Sequence, residues 1–316
     1  MKKFILKVSL FIVVSFSLIL FVIGQANGYT DAYYMRFTTP SQENLIIGTS
    51  RAAHSLQPDV FKDNMNLNIY NYAFTNAHSP YGPVYLKSIK RKLKSNTKNG
   101  VFIITVDPWS ISSNISEPNA YDDFRENKRC VGTTSRVNVK PNYQYLFKNL
   151  SGAYYKILLN SIGGKFHRLF RLHKPLYLHE NGWLEVTTKM DSISVKKRTE
   201  NRINIFRESG VKESKYSSLR FEYLIKTVLF LKKHGSVYIV RLPIHKEVTE
   251  IENEFMPDFN EKMIQIGKLS EGYFDMTQIS EKFVYIDGHH IYKDSGRKVT
   301  EEIINWIEIK QSEKSF

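Results

Sequence analysis

The chain has very little cysteine: Cys130 is the one thiol among 316 residues. A single thiol cannot form a disulfide framework within the chain, and it cannot supply a four-cysteine zinc site. No group of His, Cys, Asp or Glu has metal-ligand spacing, so we expect neither a metal nor an organic cofactor. The content of 42% hydrophobic and 13% aromatic residues excludes a disordered chain and is enough for a sizeable core.

The N-terminus has the layout of an export signal. Three lysines within the first seven residues precede an uncharged run over 8–23. Gly24 and Ala26 would suit signal peptidase, whereas the 16-residue run approaches the ~17–25 residues that span a bilayer. We expect a retained membrane anchor in 1–26 and a linker over 27–43, with the rest of the chain outside the cytoplasm because the lysines stay inside. Cleavage would instead give a secreted or periplasmic protein.

Acidic residues are few relative to basic ones, at 31 Asp and Glu against 45 Lys and Arg, for a net charge of +14. The segment 111–215 holds 19 basic and 10 acidic residues, which gives +9 of this excess. A basic surface is typical of nucleic-acid binding, but export argues against it, and we expect no nucleic-acid partner. A solvated basic face, an acidic glycan and an anionic membrane surface remain open as explanations.

Strand and helix patterns alternate along most of the chain. Strands are predicted over 44–48, 67–70, 101–106, 236–241 and 272–276. Helices are predicted over 57–62, 81–94, 217–233, 259–269 and 294–309. Continuous β-branched runs indicate parallel strands that are buried on both faces. We therefore expect an α/β domain over 44–316 with a doubly wound, mostly parallel five-stranded sheet. The irregular segment 110–215 is interpreted as an insertion that caps one edge of the sheet.

Two stretches carry the residues of a nucleophilic site. In "NLIIGTSRAAHS", Ser50 follows the first strand, at the sheet edge where α/β proteins bind ligands, although an N-cap serine would look the same. In "FVYIDGHHIYKDSGRKVTEEI", Asp287 and His290 are three residues apart in a loop before the last helix. A carboxylate can orient an imidazole whose other nitrogen faces a serine, so we predict that these three residues converge.

These stretches resemble the first and last blocks of the SGNH (GDSL-type) hydrolases, in particular their membrane-anchored extracytoplasmic members that modify cell-surface polymers. Ser50 matches the nucleophile, although Thr49 stands where Asp is usual, and Asp287 and His290 match the other triad members. The resemblance covers roughly 44–109 and 216–311 and implies a flavodoxin-like sheet.

The second block is similar to "YNYAFTNAHSPYG", which begins at Asn71. The resemblance implies an oxyanion hole formed by the backbone amides of Ser50 and Asn76. Asn76 stands where the family commonly has glycine, and asparagine is the residue that best tolerates positive φ in its place. A turn-forming role for Asn76 is the alternative, and Asn71 is a candidate substrate contact.

The third block departs from the family. After "VFIITV" the chain reads "DPWS", where the family has Gly-x-Asn-Asp, and the ionised carboxylate of Asp107 cannot donate a hydrogen bond. Arg51 is then the nearest replacement donor, while Asp107 is a candidate partner for a sugar hydroxyl or for Arg51. Arg241 ends the fourth predicted strand as a substrate contact or an ordinary ion pair. His54 and His245 have no predicted partner and are expected at the surface or at helix caps.

The resemblance implies a serine esterase or O-acyltransferase that acts on acyl esters, acetyl foremost, of an extracytoplasmic polysaccharide. The alternative is a catalytically weak or inactive SGNH-like domain that binds glycan or scaffolds a cell-envelope complex. An α/β-hydrolase is excluded because Gly48, Ser50 and Ala52 do not complete the Gly-x-Ser-x-Gly elbow of that fold.

Overall fold

The computed structural model describes residues 1–150, 155, 157, 159, 160 and 175–313, and a five-stranded parallel sheet lies at its centre. The strands are, in chain order, Leu45–Ile47 (β1), Tyr70–Asn71 (β2), Gly100–Thr105 (β3), Ser112–Asn114 (β4), Leu176–Leu178 (β5), Leu184–Val186 (β6), Ser214–Tyr216 (β7), Gly235–Arg241 (β8) and Tyr273–Asp275 (β9). The sheet has the order β2-β1-β3-β8-β9, and every neighbouring pair is parallel. This is the order of a flavodoxin-type doubly wound sheet. Four of the five predicted strands are confirmed with small shifts at their ends, whereas β2 overlaps the strand predicted over 67–70 at Tyr70 alone.

Helices flank this sheet, and others lie in the N-terminal segment and in the insertion. They are Lys2–Ile23 (α1), Ser50–Ser55 (α2), Pro58–Met65 (α3), Pro83–Lys92 (α4), Cys130–Thr133 (α5), Tyr143–Asn149 (α6), Ser192–Ile205 (α7), Val211–Glu213 (α8), Ser218–Lys232 (α9), Lys246–Phe255 (α10), Phe259–Gly267 (α11) and Lys293–Glu313 (α12). Short 3-10 helices cover Tyr34–Phe37, Pro108–Ile111, Tyr121–Asp123, Arg125–Lys128 and Met276–Lys282, and a π-helix covers Phe206–Gly210. The predicted helices are confirmed, whereas α2 and α10 have no counterpart among the predicted helices.

Local sequence explains where several of these helices begin. Proline is the first residue of α3 and of α4, a position at which its missing N–H costs nothing and its fixed φ suits the helix. The side chain of Ser217 caps α9 by accepting a hydrogen bond from the Arg220 amide. The signal of α10 is weaker, since only Val248 and Ile251 are buried apolar residues in an otherwise charged segment.

The insertion is closed at its base by a strand pair. β4 and β7 pair antiparallel, with Ser112 opposite Tyr216, so the two ends of the predicted segment 110–215 meet. Within it, β5 and β6 form a hairpin and α7 continues into the π-helix. Trp109 stacks on Phe206 and on Phe255, so a separate apolar cluster joins the insertion to α10. Residues 151–154, 156, 158 and 161–174 of the insertion lie outside the described residues.

α1 is the one helix in the described part of the chain that is long and apolar enough to cross a membrane, with 22 residues and a mean hydropathy of 2.6. A signal sequence near the N-terminus has the same properties. The end of α1 packs into the domain: Ile23 and Ala26 are buried, and the Tyr143 hydroxyl donates to the Leu20 carbonyl over 3.3 Å.

The segment 27–43 is not the linker that the sequence suggested. Tyr34 and Phe37 are fully buried in the main core, and Arg36 donates hydrogen bonds to the carbonyls of Ala32 and Gly182. Burial of these apolar side chains stabilises the packing of the segment on the domain, whereas a linker would leave them in water.

Gly48 makes the sharp turn that follows β1. Its φ is +154°, a conformation that side chains disfavour, and a Cβ atom there would lie 1.8 Å from Thr105 Oγ1. The turn from β1 into α2 therefore depends on a residue with no side chain, because β3 lies against it.

We expect Gly48→Ala to lower the free energy of unfolding by about 3 kcal/mol through backbone strain and overpacking. Chemical denaturation of the detergent-solubilised chain measures this loss. Gly272→Ala is the matched control, because Gly272 has φ +143° but the nearest atom to its Cβ position is 3.3 Å away. The control variant should lose less stability, and equal losses would contradict the steric argument.

Candidate active site

Ser50 lies at the carboxyl edge of the sheet as the first residue of α2. Thr49, not Ser50, is the N-cap residue, which removes the simple capping interpretation of the serine. The Thr49 hydroxyl donates to Asp107 Oδ2 over 3.0 Å, and this bond joins the turns after β1 and β3. Ser50 is 8% exposed and lines a cavity at this edge of the sheet.

Ser50, His290 and Asp287 form a hydrogen-bonded chain with His290 in the middle. Ser50 Oγ is 2.9 Å from His290 Nε2, and His290 Nδ1 is 3.1 Å from Asp287 Oδ2. An ionised carboxylate only accepts hydrogen bonds, so Nδ1 carries the ring proton and Nε2 accepts from the serine hydroxyl. This is the arrangement in which an imidazole can remove the proton of a serine.

The loop that carries His290 is fixed by Asp287. Oδ1 of Asp287 accepts hydrogen bonds from the backbone amides of His289 and His290, at 3.1 and 2.8 Å. Gly288 takes the left-handed conformation, φ +73°, which lets the loop turn within these few residues. The three-residue spacing therefore lets Asp287 both close the loop and orient the ring of His290.

Arg202 of α7 contacts the same carboxylate from the insertion. Its Nη2 and Nε donate to Asp287 Oδ2 over 2.8 and 3.2 Å. Burial is the largest single effect on the pKa of Asp287 and raises it, whereas the hydrogen bond from His290 lowers it. Electrostatic interactions with His290, His289 and Arg202 act in the same direction as this hydrogen bond, and together the lowering effects hold the pKa of Asp287 well below its ordinary value. No pattern in the sequence pointed to Arg202.

His54 belongs to the site, contrary to the prediction that it lies at the surface or caps a helix. Its ring stacks on His290 at a centroid distance of 4.5 Å and an interplanar angle of 20°. Burial, followed by the charge of His290, lowers the pKa of His54 well below its ordinary value, so the stacked ring stays neutral. The signal was the spacing of four between Ser50 and His54, which places both on one helix face.

The other predicted partnerless histidine, His245, is the N-cap residue of α10, although its side chain caps nothing. Its backbone amide donates to the Gly288 carbonyl over 2.9 Å, so it supports the triad loop through the main chain. This agrees with the predicted helix-end position.

The amides of Ser50 and Asn76 are available as donors. Ser50 begins a helix, where the amide has no intrahelical acceptor, and neither amide has a hydrogen-bond partner among the described residues. Asn76 lines the same cavity as Ser50. The backbone of Asn76 does not adopt positive φ, since Asn66 is the one non-glycine residue that does so in the described ranges. The tolerance of asparagine for this conformation is therefore not used at position 76.

Asp107 lies at the site but its oxygens are already engaged. It caps the 3-10 helix that follows β3, with Oδ1 accepting from the Ser110 amide over 2.8 Å and Oδ2 from Thr49. Burial raises the pKa of Asp107, and the nearby charge of Arg51 opposes this. The predicted hydrogen bond between Asp107 and Arg51 is not formed.

Arg51 and Arg241 are not positioned to contact a substrate directly. Both donate to Glu252 of α10, Arg51 through Nη2 to Oε1 and Arg241 through Nη2 to Oε2 at 3.1 Å. Trp109 Nε1 donates to the same Oε1 over 2.7 Å, and all three polar groups are buried beneath the site. The predicted substrate role of Arg241 is wrong, because its side chain is buried and its guanidinium is paired with Glu252. The alternative prediction, an ion pair at the end of a strand, is confirmed.

Asn71 is likewise structural. It is fully buried, and its side-chain amide donates to the carbonyls of Ala52 and Leu56 at 2.9 Å each. Its Oδ1 accepts from the Ala73 amide, so the side chain has no free group for a substrate. The predicted substrate contact at Asn71 is wrong: the residue instead holds the end of α2 against β2.

A cavity of about 600 Å³ opens in front of Ser50 and His290. Residues of the insertion form its far wall: Arg125, Leu176, Leu184, Arg202, Ile205, Phe206, Ser209, Gly210, Glu213 and Ser214. The insertion thus covers the reactive edge without filling it. A second cavity, of about 760 Å³, lies along α7 and is lined by His245 and Tyr285 but by no triad residue.

Within the described ranges, no group of three or more His, Cys, Asp or Glu side chains is arranged to hold a metal ion. No family model matches the chain, and no curated protein matches it either. What this site can do chemically therefore follows from its geometry.

Replacing Glu252 should destabilise the whole edge. We expect Glu252→Gln to lower the free energy of unfolding by about 3–5 kcal/mol, because the two buried arginines lose the carboxylate that they share, although Arg241 keeps an ion pair with Asp275 at 3.8 Å. Chemical denaturation measures the loss, with Glu250→Gln, an exposed position on the same helix, as a control expected within about 0.5 kcal/mol of wild type. A small loss for Glu252→Gln would contradict the central role of this ion pair.

The low pKa of Asp287 predicts a stability difference that depends on pH. A carboxylate with a depressed pKa in the folded state adds stability above its unfolded pKa of about 3.9, and this contribution is lost as pH falls below that value. Wild type should exceed Asp287→Asn by about 2 kcal/mol at pH 5. Denaturation at pH 5, 4 and 3 should show the gap shrinking, and a constant gap would refute the assignment.

Proposed function

We propose that the chain is a serine-dependent esterase or O-acyltransferase that acts on acyl esters of an extracytoplasmic polysaccharide. The observation that carries the proposal is the continuous hydrogen-bonded path from Ser50 Oγ through His290 to Asp287, with distances of 2.9 and 3.1 Å. The resemblance of the first and last sequence blocks to SGNH hydrolases supports the same assignment.

In the first half-reaction, His290 Nε2 takes the proton of Ser50 as Oγ attacks the ester carbonyl. Asp287 stabilises the imidazolium that forms, without itself becoming protonated. The carbonyl oxygen becomes an oxyanion that accepts hydrogen bonds from the amides of Ser50 and Asn76. When the tetrahedral intermediate collapses, the bond to the alcohol breaks, and His290 returns the proton to that alcohol. The acyl group remains on Ser50.

In the second half-reaction, water or a sugar hydroxyl attacks the acyl-enzyme. His290 removes the proton of this nucleophile and then returns it to Ser50 Oγ, which leaves as the acyl group departs. An esterase uses water and a transferase uses a sugar hydroxyl, so the two activities share every protein group in the mechanism.

Three features support a polymer at the cell surface as the substrate. The cavity of about 600 Å³ has room for a sugar residue with its acyl group, and it is partly open to solvent. Polar and aromatic side chains, among them Arg125, Arg202 and Phe206, line it. An apolar N-terminal helix of 22 residues, retained as an anchor, would hold the domain beside envelope polymers.

Labelling with a serine-reactive fluorophosphonate tests the proposal on the full chain in detergent. We expect labelling of wild type, none of Ser50→Ala, and a rate at least 10²-fold lower for His290→Ala, since general-base catalysis contributes about 10²–10⁴. Ser209→Ala is the matched control, because Ser209 is an exposed serine of the same cavity and should not affect labelling.

The same preparations are then assayed for hydrolysis of p-nitrophenyl acetate. A folded wild type that neither labels nor hydrolyses would overturn the catalytic proposal and favour the non-catalytic glycan-binding alternative. Labelling that survives in Ser50→Ala would place the reactive serine elsewhere.

A further inference from the structure

A second imidazole lies beside the catalytic one and takes no part in the mechanism above. His289 lines the same cavity as Ser50, and its ring is 4.4 Å from that of His290 at an interplanar angle of 86°. Because the rings of His289 and His290 are nearly perpendicular, their N–H groups point in different directions.

Arg51 determines which nitrogen of His289 carries a proton. Its Nε and Nη2 lie 3.3 and 3.1 Å from His289 Nδ1. A guanidinium has only donors, so Nδ1 accepts and the proton of the neutral ring is on Nε2. Nη2 also donates to Oε1 of Glu252, and this second bond fixes the direction of these donors. His289 is therefore locked as a donor through Nε2.

Nε2 of His289 is available. It has no hydrogen-bond partner among the described residues, and it is not one of the fully enclosed polar atoms that lack a partner. Burial lowers the pKa of the ring well below its ordinary value. The charges of Arg51, His290 and Arg202 add to this effect, and Asp287 opposes it. The ring thus stays neutral and keeps its donor.

We propose that His289 Nε2–H donates a hydrogen bond to the oxyanion formed during acyl transfer, and that Arg51 is the positioning residue that holds this tautomer. This rests on the proposed function. It accounts for a gap in the site: Asp107, at the third block, cannot donate, so the amides of Ser50 and Asn76 would otherwise act without a side-chain donor. The predicted role of Arg51 as a donor is then exerted through His289.

Kinetics of p-nitrophenyl acetate hydrolysis test the donor. We expect His289→Leu to lower kcat by about 10²–10³-fold with KM within about twofold of wild type, because the bond strengthens only in the transition state. His289→Gln keeps an N–H near the Nε2 position, so its kcat should be at least tenfold higher than that of His289→Leu. A rise in KM with unchanged kcat, or equal loss in both variants, would overturn the proposal.

A readout independent of turnover is the ¹⁵N NMR signature of the imidazoles in histidine-labelled full chain in detergent, with His289→Leu to assign the signals. We expect the His289 ring to be neutral and protonated on Nε2 from pH 5 to 8. A proton on Nδ1 would contradict the tautomer assignment. If wild type and His289→Leu hydrolyse the ester at equal rates, the role of His289 is refuted but the proposed function is not. If wild type itself neither labels nor hydrolyses the ester, the proposed function and this inference are refuted together.

Discussion

The buried carboxylate of Glu252 is the contact on which the reactive edge depends. It receives hydrogen bonds from Arg51 of α2, from Arg241 at the end of β8 and from the indole of Trp109 after β3. Three segments distant in the chain thus meet at one charge. Two guanidinium groups so deeply buried would be costly without it. The direction in which Arg51 reaches His289 follows from the same contact.

Above this ion pair, the site is built in two layers. The lower layer is the sheet edge, with the short turn at Gly48 placing Ser50 at the start of α2. The upper layer is the insertion, which reaches the triad through Arg202 and covers the cavity with Phe206. Apolar contact between Trp109 and Phe206 joins the two layers, so the cavity wall is packed against the scaffold that carries the serine.

Sequence reasoning was strongest where function and local pattern coincide. The buried runs that became β3 and β8 predicted their parallel pairing, since strands covered on both faces read as continuous apolar segments. Ser50, Asp287 and His290 were found because each follows a recognisable element end. His54 was missed although its spacing from Ser50 contained the signal. Arg202 and Glu252 were beyond reach, because their partners are set by the tertiary packing of a charged helix and an irregular insertion.

The packed N-terminus has a consequence for how the domain works at a surface. Ile23 and Ala26 at the end of α1 belong to the same core as Leu45 of β1, and the following segment runs buried into the domain. A domain on a free tether samples many orientations and heights. Here the fold itself sets the angle between α1 and the sheet, so a bilayer holding α1 would present the cavity mouth in one orientation and at one distance from the lipid. The distance of the site from such a bilayer would then be set by the packing of a few apolar side chains.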